Sequence, residues 1–114
     1  MSLSENAIKN HDELLPNHKS GFKETDPEFI EFFDNFAFDE VLRNGLSLKD
    51  RELITFSMIA SLGGCESQLR GHTIGNLNVG NDKQTLVNAV TILCPYIGCP
   101  RTLNALNIIN EICK

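Results

Sequence analysis

Beyond the Gly63-Gly64 step, the chain carries Cys65, Gln68 and His72: a thiol, an amide and an imidazole at offsets of three and seven. In a helix, about 100° per residue returns these positions to nearly one face. Two kinds of chemistry suit them. A thiol can serve as nucleophile or redox centre, and an imidazole can give and take a proton near neutral pH. Cys65 and His72 would lie about 10 Å apart along a common helix axis. They therefore do not meet within that helix, and Gln68, one turn from His72, is the nearer neighbour. Negative charge at Cys65 would instead be favoured by its place at the helix N-terminus.

The two glycines end one helix and admit the turn into the next. The helix before them is capped by Ser47, with Asp50 three residues on. It is apolar nearly all round over residues 53–62, which predicts a central element covered on most sides. Glu52 lies roughly three turns before the glycines and His72 roughly two turns after them. On antiparallel helices their levels would differ by only a few Å, within side-chain reach.

Helical signals fill the rest of the chain. Residues 5–15 read as a short amphipathic segment closed by Pro16-Asn17. Asp26-Pro27 starts a helix whose Phe29, Phe32, Phe33 and Phe36 form an aromatic stripe expected in the core. A shorter piece over 38–43 ends at Asn44-Gly45. The Cys65 helix runs to Asn78, with Gly80 past its end, and Asn76 and Asn78 are expected to cap or bridge helix ends. Asn81-Asp82 caps a helix that Pro95 should break after Cys94. Gly98 and Pro100 open the last one, with Leu103, Leu106, Ile109 and Ile112. No period-two alternation marks a strand. The expected fold is all-α, a compact helical domain of antiparallel helix pairs, with 1–114 as one domain, 1–25 as an N-terminal helical extension and 46–114 as its core.

Composition narrows the partners. A formal charge of −5 without a Lys/Arg cluster argues against nucleic acid and anionic membranes. The N-terminus is polar and acidic, unlike a signal peptide, and no apolar run approaches the roughly 20 residues of a membrane span. Cysteines at 65, 94, 99 and 113 form neither a CxxC nor a common zinc spacing. Reduced thiols in a cytoplasmic protein are the expectation.

Several segments, in order, resemble the carboxymuconolactone decarboxylase family. They are Arg51-Glu52-Leu53-Ile54-Thr55, Gln68-Leu69-Arg70-Gly71-His72, Asn76-Leu77-Asn78-Val79-Gly80 and Tyr96-Ile97-Gly98-Cys99-Pro100, followed by the 103–105 stretch. Asp34-Asn35-Phe36-Ala37-Phe38 resembles the family's aromatic N-terminal region. The resemblance implies a small all-helical subunit assembling into a ring, a homotrimer or homohexamer, acting on a small molecule without a cofactor. The same superfamily holds alkylhydroperoxidase D-like proteins, which carry a CxxC followed by His. Here Cys65 matches the first cysteine and Gln68 replaces the second, so the vicinal dithiol is missing. Gln-Leu-Arg-x-His instead resembles the decarboxylase branch.

On that resemblance His72 is the proton donor and Glu52 fixes its ring. Arg51 or Arg70 holds a substrate carboxylate, Gln68 donates to the lactone carbonyl, and Tyr96 lines the pocket mouth. Each residue also has a plainer reading: a core imidazole for His72, an ion pair for Glu52, a solvated or subunit-bridging side chain for Arg70, a small buried filler for Cys65. Cys94, Cys99 and Cys113 read as structural. Two other functions stay open, a thiol-dependent peroxidase of the peroxiredoxin kind using Cys65, and a helical oligomer without catalysis.

Overall fold

The computed structural model describes residues 2–43 and 45–114. Among the described residues it is all-helical, with seven α-helices and no strand. Asn44, half of the expected Asn44-Gly45 stop, lies outside the described residues. The chain divides into two compact units, Met1–Ser47 and Leu48–Lys114.

The first unit holds α1 (Glu5–Leu14), α2 (Phe22–Thr25), α3 (Pro27–Asn35), a π-helical turn over Phe36–Glu40 and a 3-10 turn over Val41–Arg43. Ser4 caps α1. Its hydroxyl accepts from the Ala7 amide at 3.0 Å and donates to Asp39 Oδ2 at 2.7 Å. Arg43 forks onto both oxygens of the same carboxylate, at 2.7 and 2.9 Å. These hydrogen bonds, Arg43's first and the Ser4 hydroxyl's second, pull the Asp39 carboxyl down to about 2. The expected aromatic core is not found. Ile30 is the buried residue of α3, packing in a unit whose other buried apolar residues are Ala7 and Leu14. Phe29, Phe32, Phe33 and Phe36 are exposed, and Phe29 stacks on Phe33 one turn away. The interior here is too small to take a whole stripe of rings.

The second unit contains α4 (Leu48–Leu62), α5 (Glu66–Asn78), α6 (Lys83–Ile97) and α7 (Cys99–Ile112). Its core draws on all four: Phe56 and Ala60, Leu69, Leu86 and Val90, then Ala105, Ile108 and Ile109. The α4 helix packs against α5, α6 and α7 as a central element, but one stripe of it is left uncovered. Its buried positions are Glu52, Phe56 and Ala60, one every fourth residue. Ile54, Met58 and Leu62 are offset by two positions, about 200° around the axis, and are exposed. They border an open apolar groove of about 670 Å³ between α4 and α6. Ser57 and Ser61 also line it, but their hydroxyls donate to the Leu53 and Ser57 carbonyls of their own helix, at 2.9 and 2.7 Å.

Most helix boundaries in the second unit follow local chemistry. Gly63 and Gly64 take φ of +70° and +73°, a conformation that costs a side-chain-bearing residue 1–2 kcal/mol by order of magnitude. Asp82 caps α6 by accepting from the Thr85 amide at 2.9 Å. That bond and one from the Thr85 hydroxyl hold its carboxyl below the usual range. Pro95 does not break α6, which continues to Ile97 and stops at Gly98, φ +89°. Proline forfeits one amide and frees the carbonyl four residues back. Here that is Thr91, an exposed residue whose carbonyl water can satisfy. Leu103, expected on the buried stripe of α7, is exposed; Thr102, Ala105, Ile108 and Ile109 face inward.

Candidate active site

The three-residue connection between α4 and α5 lets the two helices pack side by side. That packing brings Glu52 against His72, where Glu52 Oε1 meets Nδ1 of the imidazole. A carboxylate can only accept, so Nδ1 carries the proton of this hydrogen bond and Nε2 is the nitrogen left for other chemistry. The two partners are unequally covered. The Glu52 side chain is 7% exposed and that of His72 34%, so the carboxylate is inside and one edge of the ring reaches solvent. This is the arrangement of a base held by a buried orienting group.

A second set of contacts fixes the backbone beneath the pair. Asn76, fully buried and one turn beyond His72, donates through Nδ2 to the Glu52 carbonyl at 3.0 Å and the His72 carbonyl at 2.7 Å. Its Oδ1 accepts from Asn81 Nδ2 at 2.8 Å, and the same Asn81 nitrogen donates to the Lys49 carbonyl at 2.8 Å. Two asparagines thus use both amide hydrogens each to tie α4, α5 and the turn before α6. Among the described residues, no buried side-chain nitrogen or oxygen lacks a partner.

The other expected site residues are placed less closely. Cys65 is at the N-cap of α5, with φ −117° and ψ 42°, and not within the helix; it makes no side-chain capping bond. Gln68 is exposed and Arg51 half-buried. Tyr96 stands 86% exposed in the last turn of α6. Arg70 is engaged elsewhere: its Nε donates to Glu111 Oε2 on α7 at 2.7 Å. Through this bond the Glu111 carboxyl is held below, and the Arg70 guanidinium above, its ordinary value. Two positions from His72 corresponds to about 200° around α5, so the guanidinium and the imidazole leave the helix on different sides. All four cysteines are free. Among the described residues, no three His, Cys, Asp or Glu side chains gather as a metal site, and no helix is long and apolar enough to cross a membrane.

Sequence reasoning expected Asn76 only at a helix end and did not identify Gly75, which lies directly against the Glu52 carboxyl. The available signal was spacing: Gly75 and Asn76 stand three and four residues after His72, on its face of the helix.

Residues 27–111 match the carboxymuconolactone decarboxylase family. The chain is also similar to the 4-carboxymuconolactone decarboxylase of Acinetobacter baylyi, 32% identical over 88 residues, which cover 76% of this chain. The match spans 65% of that relative's length.

Proposed function

The chain belongs to the carboxymuconolactone decarboxylase family, and on that premise we propose that it is a cofactor-free carboxy-lyase. Its substrate is a small carboxylated lactone or related keto acid, and His72 is the proton donor. The carrying observation is the half-exposed imidazole tied through Nδ1 to the buried carboxylate of Glu52.

The reaction needs a sink for electrons and a source for one proton. The bond to the departing carboxylate breaks, its electron pair moves into the conjugated lactone carbonyl, and carbon dioxide leaves. The resulting dienolate takes a proton at carbon from Nε2 of the His72 imidazolium. The ring becomes neutral imidazole with Nδ1–H still donated to Glu52, and solvent returns the spent proton. Glu52 holds the ring through Nδ1 and leaves Nε2 as the donating nitrogen. Gln68 donates to the lactone carbonyl as charge develops there. Arg51, the neighbour of Glu52 on α4, holds the substrate carboxylate, while Tyr96 lines the mouth of the pocket. Arg70, which leaves α5 on a different side from His72, has the lesser claim to that carboxylate.

The test is the initial rate of carboxymuconolactone loss, in wild type and in Cys65→Ser. Both are expected to turn over, within about twofold of each other. An inert wild type would end the reading for that substrate. Loss of activity only in Cys65→Ser would favour a thiol mechanism instead. One observation supports that second reading, the position of Cys65 at the N-cap of α5, where a helix favours negative charge.

Assembly belongs to the same proposal. The groove bordered by Ile54, Met58, Leu62 and Ile92 carries no charged residue, and surfaces of this kind are suited to burial against another subunit. A homotrimer or homohexamer is expected in sedimentation, and a monomer at micromolar concentration would exclude it.

A further inference from the structure

Gly75 is buried in the interior of α5, where glycine is a poorer choice than alanine for helix formation. Its surroundings explain it. A Cβ built on Gly75 would lie 2.7 Å from Glu52 Oε1, 3.1 Å from Cδ and 3.5 Å from Cγ. The first distance is shorter than atoms of these kinds tolerate. Gly71, one turn earlier on the same helix, has nothing within 4 Å of the corresponding point. The two glycines therefore differ in kind. The one three residues past His72 is the slot through which a carboxylate from α4 reaches the ring. The next residue, Asn76, grips the Glu52 carbonyl with one amide hydrogen and the His72 carbonyl with the other. Side-chain space and backbone position of Glu52 are thus both set by consecutive residues of α5.

We propose that Gly75 and Asn76 are the positioning residues of the site: Gly75 admits the Glu52 carboxylate and Asn76 holds the segment of α4 that carries it, so that Glu52 is aimed at Nδ1 of His72. The inference rests on the reading of Glu52 and His72 as the working pair. A methyl group at 75 displaces the carboxylate, because the atom it would meet is the far end of the Glu52 side chain, which must shift to admit it. The ring then loses the acceptor that keeps a proton on Nδ1, and the base is free to turn.

The measurement is nitrogen-15 NMR of the His72 ring, at a pH alkaline enough for the ring to be neutral, which reports which nitrogen carries the proton, alongside thermal melts. Wild type and Gly71→Ala are expected to show the Nδ1–H signature. Gly75→Ala is expected to lose it, reverting to the Nε2-protonated form that a free imidazole favours in water, and to slow lactone turnover by about 10²-fold through misplacement of the acid. In a Glu52→Ala background, Gly75→Ala is expected to fold, to melt no lower than Glu52→Ala alone, and to leave the ring spectrum unchanged. That comparison stands even if Gly75→Ala alone does not fold. Retention of the Nδ1–H signature in Gly75→Ala would overturn the proposal. Equal destabilisation with and without the Glu52 carboxylate would do the same, since it would mark Gly75 as ordinary packing between α4 and α5. The ring signature needs no substrate. A protein inert toward the lactone that still loses the signature in Gly75→Ala therefore refutes the decarboxylase reading and keeps this one.

Discussion

His72→Gln is expected to abolish measurable lactone decarboxylation while leaving the helical fold and melting temperature close to wild type. Glutamine can still offer a hydrogen-bond donor near Glu52, so the buried carboxylate is not stranded without a partner, the outcome that would make a smaller replacement costly. What it cannot do is carry and release a proton at working pH. A positioned acid of this kind contributes about 10²- to 10⁴-fold to a rate, and the variant should fall by that factor in kcat. KM should change far less, because the residue proposed to hold the substrate carboxylate is Arg51 and not the ring. Single-turnover rates with purified variant and a circular dichroism spectrum check both halves of the expectation. A variant that retains more than a tenth of wild-type kcat would show that the proton comes from elsewhere, and His72 would then be an oriented but idle imidazole.

The meeting of Glu52 with His72 was legible because it depends on counting. Two helices joined by Gly63-Gly64 place residues eleven before and nine after Gly63 at similar heights, and the structure brings them into contact. Helix order was legible for the same reason, since Pro27, Gly63, Asp82 and Gly98 are chemical punctuation. Three things were not legible. The close approach of Gly75 to Glu52 depends on the rotation of α5 about its own axis, which a nearly uniform distribution of apolar residues around that helix does not specify. The bond between Arg70 and Glu111 joins residues 41 apart, and nothing local favours Glu111 over Glu52 as the partner of Arg70. The exposure of Ile54, Met58 and Leu62 was hidden because an apolar residue reads the same whether it faces its own core or a surface awaiting cover. Burial in the second unit is selected by packing of four helices, and sequence gives only the candidates for it.

Phe56→Ala is expected to cost about 3–5 kcal/mol of stability, the usual range for truncating a buried aromatic side chain. Phe56 is fully buried, the largest side chain so covered, and is packed in a cluster with residues of all four helices of its unit. Its neighbours there are Leu69, Leu86, Val90 and Ile109, each anchored on a separate helix turn, so the cavity left by the ring cannot close without moving backbone. Small domains have roughly 5–15 kcal/mol in total, which makes this loss a large share of the whole. Each kcal/mol shifts the melting temperature of a unit this size by about 4–8 °C, and a fall of at least about 12 °C is therefore expected in a thermal melt. The consequence reaches the site as well. Phe56 lies one turn after Glu52 on the same face of α4, and its ring helps hold that face at the spacing which lets the carboxylate pass Gly75 to reach His72. Partial collapse of the cavity would draw α4 inward and misaim Glu52, so residual activity in the folded fraction should fall together with stability. A Phe56→Ala protein that loses less than about 1 kcal/mol in urea unfolding would mean that the four helices are not held by this cluster, and the rigid backbone on which the pair of Glu52 and His72 depends would have to be sought elsewhere.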